Sequence, residues 1–267
     1  MATMIADTAC SDPRADIADD VEIGPYCVIG PDVKIGRGTR LLGNVYLMGH
    51  TTLGENNIIY PFVVLGAEPQ DYSYKGQSSR LEIGDGNVFR EAVTIHCGTE
   101  KETGVTRVGS NNYLMASVHI GHDCVLGDRI LVANNTMFAG HIHVESFANI
   151  SGAVGLHQWV SVGAYSYIGG LSRIVHDVPP YMLVEGNPSK VRCINVVGLK
   201  RHNLSAESIT ALHEAHRLLF RARMTAKHAS EVLEAHGHFC PEVQRLLAFI
   251  ENQQQGKHGR GRERGRA

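Results

Sequence analysis

The chain has 267 residues, of which 43% are hydrophobic and 19% charged, and a formal net charge of −2. That length accommodates one elongated repeat domain and a smaller second one, and so small a net charge gives no global electrostatic case for nucleic acid or membrane binding. The six cysteines form no Cys-x-x-Cys pair and read as reduced thiols, and no apolar run approaches the roughly 18 residues of a membrane helix, so a soluble cytoplasmic protein with no integral membrane segment is expected.

From Ile17 onward a large apolar residue recurs every sixth position: Ile23, Ile29, Ile35, Leu41, Leu47, Leu53, Ile59 and Leu65. The rhythm resumes at Ile83, Phe89 and Ile95, and again from Val108 through Leu114 and Ile120 to Ile174. This period fits neither the helical repeat nor the alternation of a two-faced strand, so it predicts a repeat architecture. The residue two before each large one is small or β-branched (Val21, Val33, Val45, Val63, Val118, Val160), and the residue after it is often Gly (Gly24, Gly30, Gly36, Gly163), as a turning backbone would favour. The fold class expected is therefore mainly β: a parallel β-helix of hexapeptide repeats, each hexad one short strand plus a corner, three hexads to a triangular coil. Residues about 18 apart then stack directly.

Two interruptions, about Ala67 to Arg80 and Cys97 to Arg107, must leave the coil at corners, and long loops on a rigid scaffold are common carriers of binding residues. After Ile174 the prolines of HDVPPYMLVEGNP end the repeat. Helices are predicted from Ser205 to Arg221 behind a Ser205 cap, from Thr225 to His236, and from Pro241, a favoured first helical residue. The expected division is a β-helix over 1–190, a small α-helical domain over 191–254, and a Gly- and Arg-rich tail, 255–267, expected to be disordered and solvated.

The histidines concentrate in SVHIGHDCVLG, FAGHIHVES and GLHQWVS. His122, His141 and His157 are spaced by 19 and 16 residues, close to one coil each, and should line one edge. Such a ladder admits three readings. It is a set of tolerated surface side chains, a metal site, since imidazole is a common zinc ligand, or a general base. His119 and His122 occupy different hexad positions, which argues against their sharing a metal, and none is expected. In the third reading Asp123 orients the His122 ring, the neutral imidazole takes a proton from a hydroxyl attacking an acyl carbon, and a backbone amide near Gly140 meets the oxyanion.

The combination IGPYCVIGPDVKIG, PQDYSYKG, EIGDGNVFREAVTIHCGT, HIGHDCVLGD, LVANNTMFAGHIHVES, HQWVSVGAYSYIGG, DVPPYMLVEGNP and NVVGLKRHNLS resembles the UDP-N-acetylglucosamine O-acyltransferase family, in order over about residues 5–250. The resemblance implies a left-handed parallel β-helix homotrimer, the first enzyme of lipid A biosynthesis, which moves a 3-hydroxyacyl group from acyl carrier protein to the 3-hydroxyl of UDP-N-acetylglucosamine with no cofactor. By motif match, His122 is the base, Asp123 its partner and Gly140 the oxyanion amide. Asp71, Ser73, His119, His141, His157 and Gln158 contact substrate, Asn195 and Arg201 hold the nucleotide part, and Gly170 leaves the acyl slot open for a longer, myristoyl-length chain. Three positions depart from the family pattern. Ser73 stands where enterobacterial members carry Lys, with Lys75 two residues on as a substitute; Val197 replaces an acidic residue; and His202 replaces a basic one. These bear on the choice between UDP-N-acetylglucosamine and its 3-amino analogue. Acylation of that analogue or another sugar nucleotide, and a non-catalytic scaffold, are the alternatives.

Overall fold

A computed structural model of the chain describes residues 3–257, 259 and 261–264. Among the described residues, short strands, most of two residues, stack into three sheets of eleven, nine and eight strands that form the sides of a prism, all parallel except the last strand of the first. Register follows the expected coil: Lys34 pairs with Thr52 and His143 with Ser161, eighteen residues on. Each loop lengthens one coil, so that Leu65 pairs with Ile95 and Ile95 with Ile120. The large residue of each hexad from Ile23 to Ile174 is at most 4% exposed, and each such side chain removed from water contributes about 1.5–3 kcal/mol.

Where the coil length changes, a polar ladder inside the prism keeps the register. Asn57 Oδ1 accepts from the Asn87 amide, Asn87 Oδ1 from the Asn112 amide, and Asn112 Oδ1 from the Ile130 amide, all within 3.0 Å. These asparagines sit two before Ile59, Phe89 and Leu114, and buried amides so paired avoid the cost of unsatisfied polar groups.

The hexad glycines have a different cause from the one the sequence suggests. A Cβ on Gly36 would lie 2.5 Å from the backbone of Gly54, and one on Gly163 2.4 Å from Pro180 N, so close stacking of coils excludes a side chain there. The left-handed backbone falls instead at the corners, on residues such as Tyr26, Asn44 and Phe62, and farther on at Asp123, His141 and Trp159.

The prism ends in an antiparallel hairpin, Met182–Gly186 with Ser189–Ile194, so the helices begin at Val196, slightly later than the expected boundary at 191. A short helix α1, Val196–Arg201, precedes α2, Ala206–His216, whose Ser205 cap accepts from the Ser208 amide; a wider turn, Arg217–Arg221, extends it. Helices α3, Ala226–Ala235, and α4, Pro241–Gln254, pack on α2 through Ala229, Leu233, Val243 and Leu246. Glu214 ties the layer together by accepting from the His236 and His238 rings, contacts that hold its carboxyl below the usual range.

The tail departs from the expected solvated end over its described part. Gly259 is buried and donates to Ser161 Oγ at 3.0 Å, and a last turn of helix, α5, Gly261–Arg264, follows. Arg262 Nη2 donates to the carbonyls of His141 and Trp159, and its guanidinium lies 5.3 Å from the Trp159 ring centroid. An aromatic face and inward-turned carbonyls at one corner supply what a composition-based reading of an arginine tail leaves out. The other tail residues, 258, 260 and 265–267, lie outside the described residues.

Candidate active site

After the strand His119–Ile120 the chain turns through Gly121 and His122, and Asp123 adopts the left-handed conformation at φ 60°. This places the Asp123 side chain inside the corner, 1% exposed, where its amide donates to Thr106 Oγ1 at 2.8 Å. Asp123 Oδ2 receives His122 Nδ1 at 2.8 Å and the Thr99 hydroxyl at 2.6 Å, and Oδ1 the Thr99 amide at 2.7 Å. Burial works against its charge, but the bonds from His122 and Thr99 outweigh it, and Asp123 ionises below its ordinary range. Because the carboxylate only accepts, His122 Nδ1 carries a proton, and Nε2 is the ring atom left to act as a base.

Gly140 lies against that ring: a Cβ there would come within 2.5 Å of His122 Cε1 and 2.8 Å of Nε2. His141, one coil beyond Asp123, is 4% exposed and meets His122 edge to face at 4.9 Å between centroids. Its other face stacks on Trp159 at 3.9 Å, with the rings 1° from parallel. The step from His141 to Trp159 is eighteen residues, so the coil rule would have found this partner.

The two loops close over the corner. Asp71, from the first, puts Oδ2 4.0 Å from His122 Nε2. Its Oδ1 receives the Ser73 amide and hydroxyl, each at 2.9 Å, and its Oδ2 receives Lys101 Nζ at 2.5 Å. Lys101 above all, with Ser73, holds the Asp71 carboxyl well below the usual carboxylate range. Lys75, the substitute cation offered by the sequence, does not reach this point, and its Nζ bonds the Tyr72 carbonyl at 3.3 Å instead. The second loop also brings Glu102 Oε1 to 4.0 Å from His141 Nδ1. Thr99, Lys101 and Glu102 were invisible to motif reasoning because the loop has no period; its length was the one available signal.

His119 bonds Thr94 Oγ1 at 2.8 Å through Nδ1 and faces His96 at 5.3 Å; burial first, then the neighbouring His96 and His122, push its pKa down. His157 does not continue the ladder as expected. It sits two residues before the stacking position held by Trp159, bonds the Gln158 carbonyl through Nδ1 at 3.1 Å, and lines an adjoining cavity of about 450 Å³ with Gln158, Ala139, Leu156 and Arg173. At Gly170 a Cβ would meet nothing nearer than 3.4 Å, so the glycine leaves space rather than relieving a clash.

Among the described residues one group has the spacing to hold a metal ion: ligand atoms of His122, Asp123 and His141 lie within 4.8 Å of one another. Both Asp123 oxygens are already hydrogen-bonded, which is the arrangement of an oriented imidazole base.

A second cavity, about 580 Å³, opens where the hairpin passes into α1 and is lined by Tyr167, Asn195, Val197, Arg201 and His202 among others. Asn195 is 8% exposed and caps α1: its Oδ1 accepts from the Gly198 amide at 3.1 Å and its Nδ2 donates to the Tyr165 carbonyl at 2.9 Å. His202 packs edge-on against Phe147 and Tyr165, at 5.1 and 5.3 Å, so its ring belongs to an aromatic wall.

The sequence and the fold have counterparts among known proteins. Residues 177–259 match the family model described as UDP N-acetylglucosamine O-acyltransferase, domain 2, and residues 14–48 and 32–67 match the bacterial transferase hexapeptide model. The acyl-[acyl-carrier-protein]--UDP-N-acetylglucosamine O-acyltransferase of Syntrophobacter fumaroxidans is 46% identical over 250 residues, 93% of this chain and 97% of that protein. The enzyme of that name from Thiobacillus denitrificans is 46% identical over 256 residues, 96% of this chain and 99% of its own length. Among solved structures, the UDP-N-acetylglucosamine acyltransferase of Bacteroides fragilis superposes with a TM-score of 0.90 at 38% identity, covering 93% of this chain and 97% of that one. The Acinetobacter baumannii structure gives 0.89 at 42% identity, again covering 93% and 97%. The prism is therefore the left-handed parallel β-helix of these proteins, with a small helical C-terminal part, and the chain belongs to the UDP-N-acetylglucosamine O-acyltransferase family.

Proposed function

We propose that this chain transfers a 3-hydroxyacyl group from acyl carrier protein to the 3-hydroxyl of UDP-N-acetylglucosamine, the first step of lipid A biosynthesis. The observation that carries the chemistry is the His122–Asp123 pair: Nδ1 is fixed on a buried carboxylate at 2.8 Å, which leaves Nε2 as the proton acceptor. In the step, the sugar hydroxyl oxygen attacks the thioester carbonyl carbon while its proton passes to Nε2. The tetrahedral oxyanion then collapses, the C–S bond breaks, and the carrier thiol leaves with the proton from the imidazolium. An amide at Gly140, beside the ring, meets the oxyanion.

Asp71, Ser73, His119 and His141 surround this point and receive the reacting groups. His157 and Gln158, in the adjoining cavity, take the acyl carrier arm or chain, and the space at Gly170 admits a myristoyl-length acyl group. Asn195 and Arg201 hold the nucleotide in the larger cavity, where a guanidinium suits bidentate phosphate recognition. The prism and its closing hairpin, to Ile194, form the acyltransferase domain, and the helices from Val196 to Gln254 the second one. A homotrimer is consistent with the long flat faces of a prism and the preference for closed symmetry. Cytoplasmic location accords with the carrier protein as donor; no described helix is long and apolar enough to cross a membrane.

The test is thioester turnover by the purified protein with 3-hydroxymyristoyl carrier protein and UDP-N-acetylglucosamine. His122→Ala is expected to lose about 10²–10⁴-fold in kcat with KM little changed. An inactive wild type would overturn the reading, and turnover only with the 3-amino sugar nucleotide would reassign the acceptor.

A further inference from the structure

The loop Cys97–Arg107 does more than cover the corner, because three side chains from it reach three separate groups of the site. Thr99 holds Asp123 through both its amide and its hydroxyl, Glu102 stands 4.0 Å from His141, and Lys101 Nζ meets Asp71 Oδ2 at 2.5 Å. Asp71 Oδ2 is itself 4.0 Å from His122 Nε2, so the ammonium stands no farther from the proposed basic atom than those two spans laid end to end. Asp71 is 11% exposed and Lys101 47%, so the cation is the more solvent-exposed member of the pair.

The charge around the corner explains why a cation there matters. Asp71, Asp123 and Glu102 place three carboxylates around His122 and His141, and any phosphate brought to this point meets repulsion at short range in a partly desolvated cleft. Arg262 is bound to the carbonyls of His141 and Trp159, with Nη1 3.9 Å from Glu102. Lys101 is on the His122 Nε2 side. The Ser73 hydroxyl and amide are occupied on the other oxygen of Asp71, so the cation at this carboxylate comes from the second loop and not from the first.

We propose that Lys101 is a substrate-binding residue whose ammonium, held at the mouth of the site by Asp71, takes an anionic phosphate oxygen of an incoming substrate. This rests on the acyl-transfer reading of the site. The phosphate has two sources, the diphosphate of the sugar nucleotide and the phosphodiester of the carrier's pantetheine arm, and both present the oxygen Lys101 would bind.

Lys101→Met and Lys101→Arg test this in the full chain, beside wild type. In steady-state turnover, Lys101→Met is expected to lose about tenfold in kcat/KM for at least one substrate, while Lys101→Arg keeps most of it. A raised KM for the nucleotide assigns the diphosphate, and a raised KM for the carrier protein assigns the arm. Calorimetric binding of UDP and of 4′-phosphopantetheine reads the same contact without turnover, so it decides about Lys101 even if acyl transfer is the wrong reaction. Unchanged binding of both probes in Lys101→Met overturns the proposal. So does equal impairment of the two variants, which would make Lys101 a staple between loops whose charge is not used.

Discussion

The corner around His122 and the cavity at the entrance to α1 are built on opposite plans. At the corner every functional group is held from several sides: Asp123 by Thr99 and His122, His141 by Trp159, Asp71 by Ser73 and Lys101. In the cavity, polar groups are fewer and the walls are mostly apolar or aromatic, with Val197 63% exposed and the rings of Phe147 and His202 packed edge to face. Fixed dipoles and a fixed ring suit a step in which charge develops, whereas an open, mostly apolar pocket with a few polar contacts suits recognition of a ligand that arrives already formed. Substitutions that displace the His122 ring should therefore act on kcat, and substitutions in the cavity on KM.

The largest effect short of removing the base is expected at Gly140. A methyl group there would overlap the His122 ring at 2.5–3.0 Å, and the ring can yield only by leaving Asp123. Gly140→Ala is expected to lower kcat about 100-fold while the melting temperature stays within a few degrees, because the displaced side chain faces a cleft and not the prism core. A variant with full kcat would show that the ring position is not critical and would erase the contrast between the two regions.

A smaller effect belongs to the cavity. Arg201→Ala is expected to raise KM for the sugar nucleotide about tenfold with kcat within about twofold, the pattern of a contact made equally in ground and transition states. If kcat fell instead, Arg201 would be acting on the reacting centre, and the division of labour proposed above would not hold.

How far each region could be read from the sequence follows from the same difference. The hexad period identified the large core residues of the prism from Ile23 to Ile174, because one large aliphatic per six positions has only one place to go in a triangular coil. The His122–Asp123 pair and its neighbour His141 were legible for the same reason. His157 was misplaced because spacings of 19 and 16 are not interchangeable when a corner turns within two residues, and Trp159, at the true interval, was passed over for a histidine. Lys101, Thr99 and Glu102 could not be reached by any period, since loop residues are placed by whichever partners the scaffold offers. The tail was misread from composition: Arg262 finds carbonyls and an aromatic face that exist only once the coils have stacked.

Asn195 tests the smallest and most specific part of the comparison, because it does two things at once. It lines the cavity proposed to hold the nucleotide, and it caps α1 by accepting from the Gly198 amide while donating to the Tyr165 carbonyl. Asn195→Ala removes both bonds, and loss of an N-cap costs about 1 kcal/mol, a fall of roughly 2–4 °C in Tm for a chain of this size. Arg201 is the last residue of the same six-residue helix, so loosening the cap also loosens the guanidinium, and KM for the nucleotide should rise modestly. Asn195→Ser separates the roles, since a serine hydroxyl can still accept from the Gly198 amide but is too short to occupy the cavity as the amide does. Recovery of Tm with KM still raised would make Asn195 a ligand contact in its own right. Recovery of both would make it a cap that serves the nucleotide only by aiming Arg201.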